Sequence, residues 1–250
     1  IFFVLIFFLS KFRQSRYWAY LVVVLFCLPH FACIFYSDWY VDELYAVVRN
    51  ADARGDDTLD MVFKNDFWGK SIVSKHTHKS WRPLCVLTYR IAIQLFGLHA
   101  SHLRAVSCLI HLWVSIMTYQ LFDRLIPRSS GGFAALLGAC VMAAHPIHVE
   151  NVVYLVGRAD AMGTAFQLVA CLAYVKMMRR QHQDNSSWLA RTVRIMIFVA
   201  ITTICGGLSK ESGFFIPVVC GAFEFVYPYM SNGRLFSLIA VFGVIAYARW

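Results

Sequence analysis

The chain has 250 residues, 59% hydrophobic and only 15% charged, with a mean hydropathy of +0.58, whereas a soluble domain carries about 45–50% apolar and roughly 25% charged residues. This composition excludes an ordinary soluble globular core and points to a lipid environment. The formal charge of +9 invites a nucleic-acid reading, but many of the lysines and arginines fall in short connections between apolar runs. That is a topology signal rather than a polyanion groove, so no nucleic-acid partner is expected.

The chain opens on Ile1 without an initiator Met and stops at Trp250 inside an apolar run, so both ends are expected to be cut. Ile1–Leu9 reads as the tail of an earlier span or of a signal-like segment. A hydrocarbon core about 30 Å thick needs ~20 apolar helical residues. Six stretches come close: Trp18–Tyr36, Leu103–Phe122, Gly132–Val149, Met162–Met178, Val193–Leu208 and Phe214–Met230, with a seventh beginning near Leu235. An all-α, polytopic membrane protein follows.

Lys11, Arg13 and Arg16 precede the first span, Arg124 and Arg128 follow the second, and Lys176, Arg179, Arg180, Arg191 and Arg194 lie between the fourth and fifth. With alternating spans these fall on one side, joined by Arg234, and that side reads as cytoplasmic. The opposite side receives the loop Ser37–His102 and the turns Asn151–Ala161 and Ser209–Gly213. The loop carries eight carboxylates and the aromatics Trp39, Tyr40, Tyr45, Phe63, Phe67, Trp68 and Trp81, more apolar surface than a disordered linker holds. It is expected to fold against the membrane face. Leu84–Leu98 has the length of an interfacial helix that Gly97 would end, with Arg90 and Gln94 opposing a span. The sequon Asn185-Ser186-Ser187 falls on the cytoplasmic side and reads as a chance match. The eight cysteines form no C-x-x-C pair and read as free, buried thiols.

Ionisable groups at a membrane boundary are costly and call for a partner or a function. Asp42 and Glu43 follow the first span; adjacent carboxylates can divide the work of base and substrate ligand, or simply cap a helix. His145, His148 and Glu150 end the third span. Their side chains suit a metal or the hydroxyls of a polar substrate, and Pro146 disturbs the metal-ligand spacing, so no metal site is expected and the need for a divalent cation stays open. Arg158 and Asp160, then Lys210 and Glu211, each set a cation beside a carboxylate in a turn. They suit interfacial salt bridges, or phosphate binding by the two cations. Arg82 stands at the start of the interfacial helix.

Taken together, Asp42-Glu43, Asp66-Phe67-Trp68-Gly69, Lys79-Ser80-Trp81-Arg82-Pro83-Leu84, His145-Pro146-Ile147-His148-Val149-Glu150, Val156-Gly157-Arg158-Ala159-Asp160 and Ser209-Lys210-Glu211 resemble, in order and spacing, the transmembrane and tetratricopeptide-repeat-containing (TMTC) family of protein O-mannosyltransferases. The resemblance runs from about Tyr40 to Glu224. It departs from the family's commoner Asp-Asp by having Asp42-Glu43, and from its frequent Cys-Lys-Glu by having Ser209-Lys210-Glu211. It implies that residues 1–250 are part of a GT-C glycosyltransferase membrane domain with a lumenal loop at about 37–102, in the endoplasmic reticulum membrane. Further spans and a lumenal tetratricopeptide-repeat domain would lie outside this chain.

The implied donor is dolichyl phosphate mannose and the implied acceptor a Ser or Thr hydroxyl of a lumenal protein, with inversion at the sugar. On that resemblance Asp42 is the base and Glu43 orients it. Arg82, Arg158 and Lys210 face the donor phosphate; His145, His148, Glu150, Asp160 and Glu211 bind sugar or phosphate or serve the structure. Two other classes remain: a transporter or channel, whose sites usually lie nearer the midplane, and a non-catalytic membrane scaffold of the same fold.

Overall fold

A computed structural model describes residues 16–35, 38–127, 132–179, 187–226 and 232–249. Lys11, Arg13, Arg128, Arg180, Asn185 and Ser186 of the sequon, and the Ile1–Leu9 segment lie outside the described residues. Helix α1 (Arg16–Cys27) continues as a 3-10 stretch, Leu28–Phe35. Short loop helices follow: α2 (Val41–Glu43), extended by a π turn to Val48, α3 (Ala51–Arg54) and α4 (Met61–Lys64). Next come α5 (Pro83–Phe96), α6 (Ala100–Leu125), α7 (Phe133–Ala144), α8 (Val149–Val153), α9 (Arg158–Arg179), α10 (Trp188–Ser209), α11 (Ile216–Val226) and α12 (Asn232–Arg249). Among the described residues the one β-type contact is an isolated bridge between Asn65 and Ser71. The chain is an all-α, polytopic membrane protein.

Four helical stretches are long and apolar enough to span: Tyr17–Phe35, Ala100–Leu125, Leu155–Arg179 and Trp188–Ser209. At about 1.5 Å per residue the 26 residues of α6 reach about 39 Å, beyond the hydrocarbon core. The expected third span is not straight. Pro146 has no N–H to continue the helix, α7 stops at Ala144, and the segment resumes at 44° as Pro146–Val153; counted as one bent span it makes five. The expected sixth span, Phe214–Met230, opens on the end of a 3-10 turn, Glu211–Phe215, and runs on as α11; its last four residues, 227–230, lie outside the described residues.

Helix α10 shows how the bundle meets lipid. Leu189, Val193, Ile197, Ile201 and Ile204, spaced by four, four, four and three, are each 46–64% exposed, which puts one apolar stripe on the outside. Such a stripe is a liability in water and the ordinary surface of a spanning helix. Its other face holds Ile195, Val199, Thr202, Thr203 and Gly206 against the bundle. A Cβ on Gly213, in the turn after α10, would lie 2.1 Å from the Gly206 carbonyl carbon and 2.4 Å from its oxygen. Backbone is packed directly on backbone there. Gly213→Ala is therefore expected to cost about 3 kcal/mol or more through overpacking, read as a fall in unfolding temperature and loss of the monodisperse peak in detergent. Wild-type behaviour of that variant would contradict the close approach.

The loop after α1 is folded, as expected, and two polar residues organise it. Asn50 donates through Nδ2 to the Ala46 and Phe67 carbonyls (both 3.1 Å) and accepts from the Asp52 and Ala53 amides. Asp66 accepts from the amides of Trp68, Lys70 and His78 and from the Thr77 hydroxyl. These bonds press Val62, Phe67, Val86, Tyr89 and Leu103 into one core shared by loop, α5 and α6. Helix α5 begins with Pro83 at its first position and ends before Gly97, close to the expected Leu84–Leu98. Arg90, on α5, donates to the Asp57 carbonyl at 2.8 Å.

The far end of the bundle carries its own polar contacts. Arg179 donates to the Arg124 carbonyl. Arg234 forms a bidentate pair with Glu224 at 2.8 and 3.0 Å, with the Tyr174 hydroxyl on the same carboxylate. Arg234, read from sequence as a loop charge, is buried. All eight cysteines are free; seven are buried and Cys205 is half-buried.

Candidate active site

The loop after α1, the turn between α8 and α9 and the turn after α10 meet at one end of the bundle. The closest joint is between two adjacent carboxylates and two adjacent residues of the α8–α9 turn. Tyr154 donates its hydroxyl to Asp42 Oδ2, and Leu155 donates its amide to Glu43 Oε1 at 2.8 Å.

The two carboxylates have opposite environments. Glu43 is wholly buried and pairs with Arg104, also wholly buried, at 3.1 Å. Its Oε2 also accepts the Tyr40 amide at 3.0 Å, which draws the start of α2 back on itself. Arg104 reaches further, donating to the carbonyls of Val153 (2.9 Å) and Asp38 (2.7 Å) and placing its guanidinium 5.6 Å from the Tyr40 ring centroid. A buried charge pair holds only when its remaining hydrogen-bonding capacity is met, and here loop and turn backbone meet much of it. Asp42, one residue earlier, is exposed, and its Oδ1 has no hydrogen-bond partner among the described residues. Burial, then the neighbouring Asp42 carboxylate, holds the Tyr154 phenol well above its ordinary pKa, so it remains a donor at neutral pH.

Arg158, expected at a phosphate, is enclosed instead. With no exposed surface, it donates to Ser107 Oγ (3.0 Å), Thr88 Oγ1 (3.2 Å) and the Leu103 carbonyl (2.5 Å), its guanidinium 4.4 Å from the Tyr89 ring centroid. It fastens the first turn of α9 to α5 and α6. Gly157, just before it, explains part of the same motif: a Cβ there would sit 2.5 Å from the Glu150 carbonyl oxygen. The turn closes over that backbone only with glycine. Glu150 itself points outward and is exposed.

Two cations remain near the surface. Arg82 grips Glu211 through Nε (3.1 and 3.2 Å) and Nη2 (2.9 Å), leaving its Nη1 without a hydrogen-bond partner among the described residues. Burial pushes the Glu211 carboxyl up, but the hydrogen bond and charge of Arg82 outweigh it and the net displacement is downward. The stabilisation this pair gives is thus present above the usual carboxylate range and is lost as the pH falls through the depressed value. Lys210 donates to Asp160 at 2.9 Å. Both pairs tie the turn after α10 to other elements, α5 in one case and α9 in the other.

The histidines form a separate row. His145 accepts the Ile147 amide at 3.2 Å and so caps the 3-10 turn after the helix break. His148 lies 6.2 Å from His145 and 5.4 Å from His111 of α6, which lies 4.8 Å from His30, centroid to centroid. His111 is buried with Nε2 3.0 Å from the Ala143 carbonyl. Among the described residues no three His, Cys, Asp or Glu side chains are disposed to hold a metal ion.

Sequence reasoning missed Arg104 and Tyr154. Arg104 stands one residue inside an apolar run, and a cation there is itself a signal of an internal partner. Tyr154 carries no such mark.

No protein-family model matches the chain, and no solved structure does. Curated relatives do. The chain is 34% identical over 209 residues to human protein O-mannosyl-transferase TMTC4, a match covering 79% of this chain and 28% of that protein. It is 33% identical over 218 residues to Drosophila melanogaster protein O-mannosyl-transferase Tmtc2, covering 83% and 22%, and 30% identical over 195 residues to mouse TMTC1, covering 78% and 20%. The chain thus spans between a fifth and three-tenths of the length of these relatives. With that identity along some four-fifths of its residues, the chain belongs to the TMTC family.

Proposed function

We propose that this chain is the membrane part of a GT-C-type protein O-mannosyltransferase of the endoplasmic reticulum, transferring mannose from dolichyl phosphate mannose to Ser or Thr hydroxyls of lumenal proteins with inversion. The observation that carries this reading is the split fate of Asp42 and Glu43. One is exposed with a free oxygen; its neighbour is buried and holds the backbone in place. Asp42 accepts the proton of the acceptor hydroxyl as that oxygen bonds to the sugar's anomeric carbon. The bond from that carbon to the phosphate oxygen breaks, and its electron pair leaves with the lipid phosphate. A leaving group already anionic needs positive charge rather than a proton donor. Arg82 and Lys210, at the surface of the same end of the bundle, supply it, and Arg158 contributes by fixing α9 against α5 and α6. The lipid tail belongs among the apolar helix faces.

The test is mannose transfer by the full-length protein in liposomes, supplied with dolichyl phosphate mannose and Ser/Thr peptides. Transfer is expected, with the product anomer opposite to the donor's. Arg82→Gln and Lys210→Gln are each expected to reduce kcat/KM by about tenfold or more, the worth of one charge-assisted hydrogen bond. A retained anomer would sink the single-displacement mechanism. Unchanged kinetics in both variants would remove the two cations from the donor site.

A further inference from the structure

Asp42 could be held in place by its own rotamer preference or by a partner. Its neighbour on the chain is fixed: Glu43 Oε1 takes the Leu155 amide. In register with that bond, one residue earlier on each segment, the Tyr154 hydroxyl meets Asp42 Oδ2. Tyr154 is itself restrained from three directions. The backbone of the next residue is clamped between Glu43 and Tyr89, whose hydroxyl donates to the Leu155 carbonyl at 2.6 Å. The Val153 carbonyl before it accepts from Arg104 at 2.9 Å. Its ring sits edge-on to Tyr40 at 6.0 Å between centroids, and Tyr40 in turn lies under Arg104. A phenol held by that many contacts has little freedom to move away from the carboxylate.

We infer that Tyr154 is a positioning residue for Asp42, fixing the rotamer of the carboxylate and reserving Oδ1 for the acceptor hydroxyl. This deepens the proposed function and rests on Asp42 being the base. Orientation is what the hydrogen bond supplies, because an exposed carboxylate without a partner samples several rotamers while transfer needs one. The groups facing Asp42 and Tyr154 from the packed segments are Glu43, Arg104 and Tyr40 on one side and Glu150 on the other. Glu43 is committed to Arg104, so Tyr154 is the group whose removal Asp42 feels directly.

The experiment compares wild type, Tyr154→Phe and Asp42→Asn in the full-length protein, measuring kcat, KM for dolichyl phosphate mannose and the unfolding temperature in detergent. Tyr154→Phe keeps the ring against Tyr40 and removes only the hydroxyl. Its kcat is expected to fall tenfold or more with KM for the donor unchanged. Its unfolding temperature in detergent is expected to stay at the wild-type value, because the ring and the backbone clamps on either side of it are untouched. A fall in kcat accompanied by a raised KM for the donor or a lowered unfolding temperature would make Tyr154 merely structural and overturn the inference, as would wild-type kinetics. Transfer by Asp42→Asn equal to wild type would instead overturn the underlying assignment of the base.

Discussion

Asp42→Asn in the full-length protein is expected to lower mannose transfer by about 100- to 10,000-fold, the usual worth of a positioned general base, with the fold and the affinity for the lipid donor intact. The substitution keeps the shape of the side chain and an oxygen to accept the Tyr154 hydroxyl, but an amide cannot take up the acceptor's proton. Because Asp42 is exposed and makes only that contact, while Glu43 carries the anchoring contacts, little else in the loop should move. The measurement is transfer of labelled mannose to a Ser/Thr peptide beside a donor-binding assay on the same preparations. Equal transfer by both proteins would dismiss Asp42 as the base. Lost donor binding in the variant would assign Asp42 to the sugar instead.

The second large effect is on the fold. Glu43→Gln leaves a wholly buried Arg104 without its counter-charge, and Arg104→Leu leaves a wholly buried Glu43 without its own. Either is expected to destabilise the protein by about 3–5 kcal/mol, since the remaining buried ion is uncompensated. The paired replacement Glu43→Leu with Arg104→Leu removes both charges and is expected to cost less than either single change. It should not restore transfer, because the amides of Tyr40 and Leu155 lose their acceptor and Asp42 its fixed backbone. Thermal unfolding of the three variants in detergent checks this. A double variant as unstable as the sum of the singles would show that the two side chains contribute independently.

How much of the structure is legible in the sequence depends on the range of the interaction. Spanning helices announce themselves because run length and composition are local, and the loop's order was legible in its aromatics. Pro146 was visible too, but whether a proline bends or ends a span is settled by what packs against the freed backbone, here His145 and the turn it caps. The carboxylates were found because Asp42 and Glu43 sit where an apolar run gives way to a polar loop. What separates them is tertiary: Arg104, 61 residues further on, claims Glu43 and leaves Asp42 outside. Arg158 shows the same limit in reverse. In sequence it stands in a turn as a cation ready for a phosphate, and only the approach of Thr88, Leu103 and Ser107 reveals that it is occupied.

Helix α5 brings one more consequence. Just before its first turn Arg82 holds Glu211 and thereby the cationic end of the site; seven residues on, Tyr89 holds the Leu155 carbonyl beside the carboxylates. At about 1.5 Å per residue those two grips stand about 10 Å apart along the axis. The helix works as a gauge block between the phosphate end and the proton-accepting end. The surrounding loop can vary in length without altering that spacing, whereas one residue inserted between Pro83 and Tyr89 would turn the two grips out of phase by about 100°.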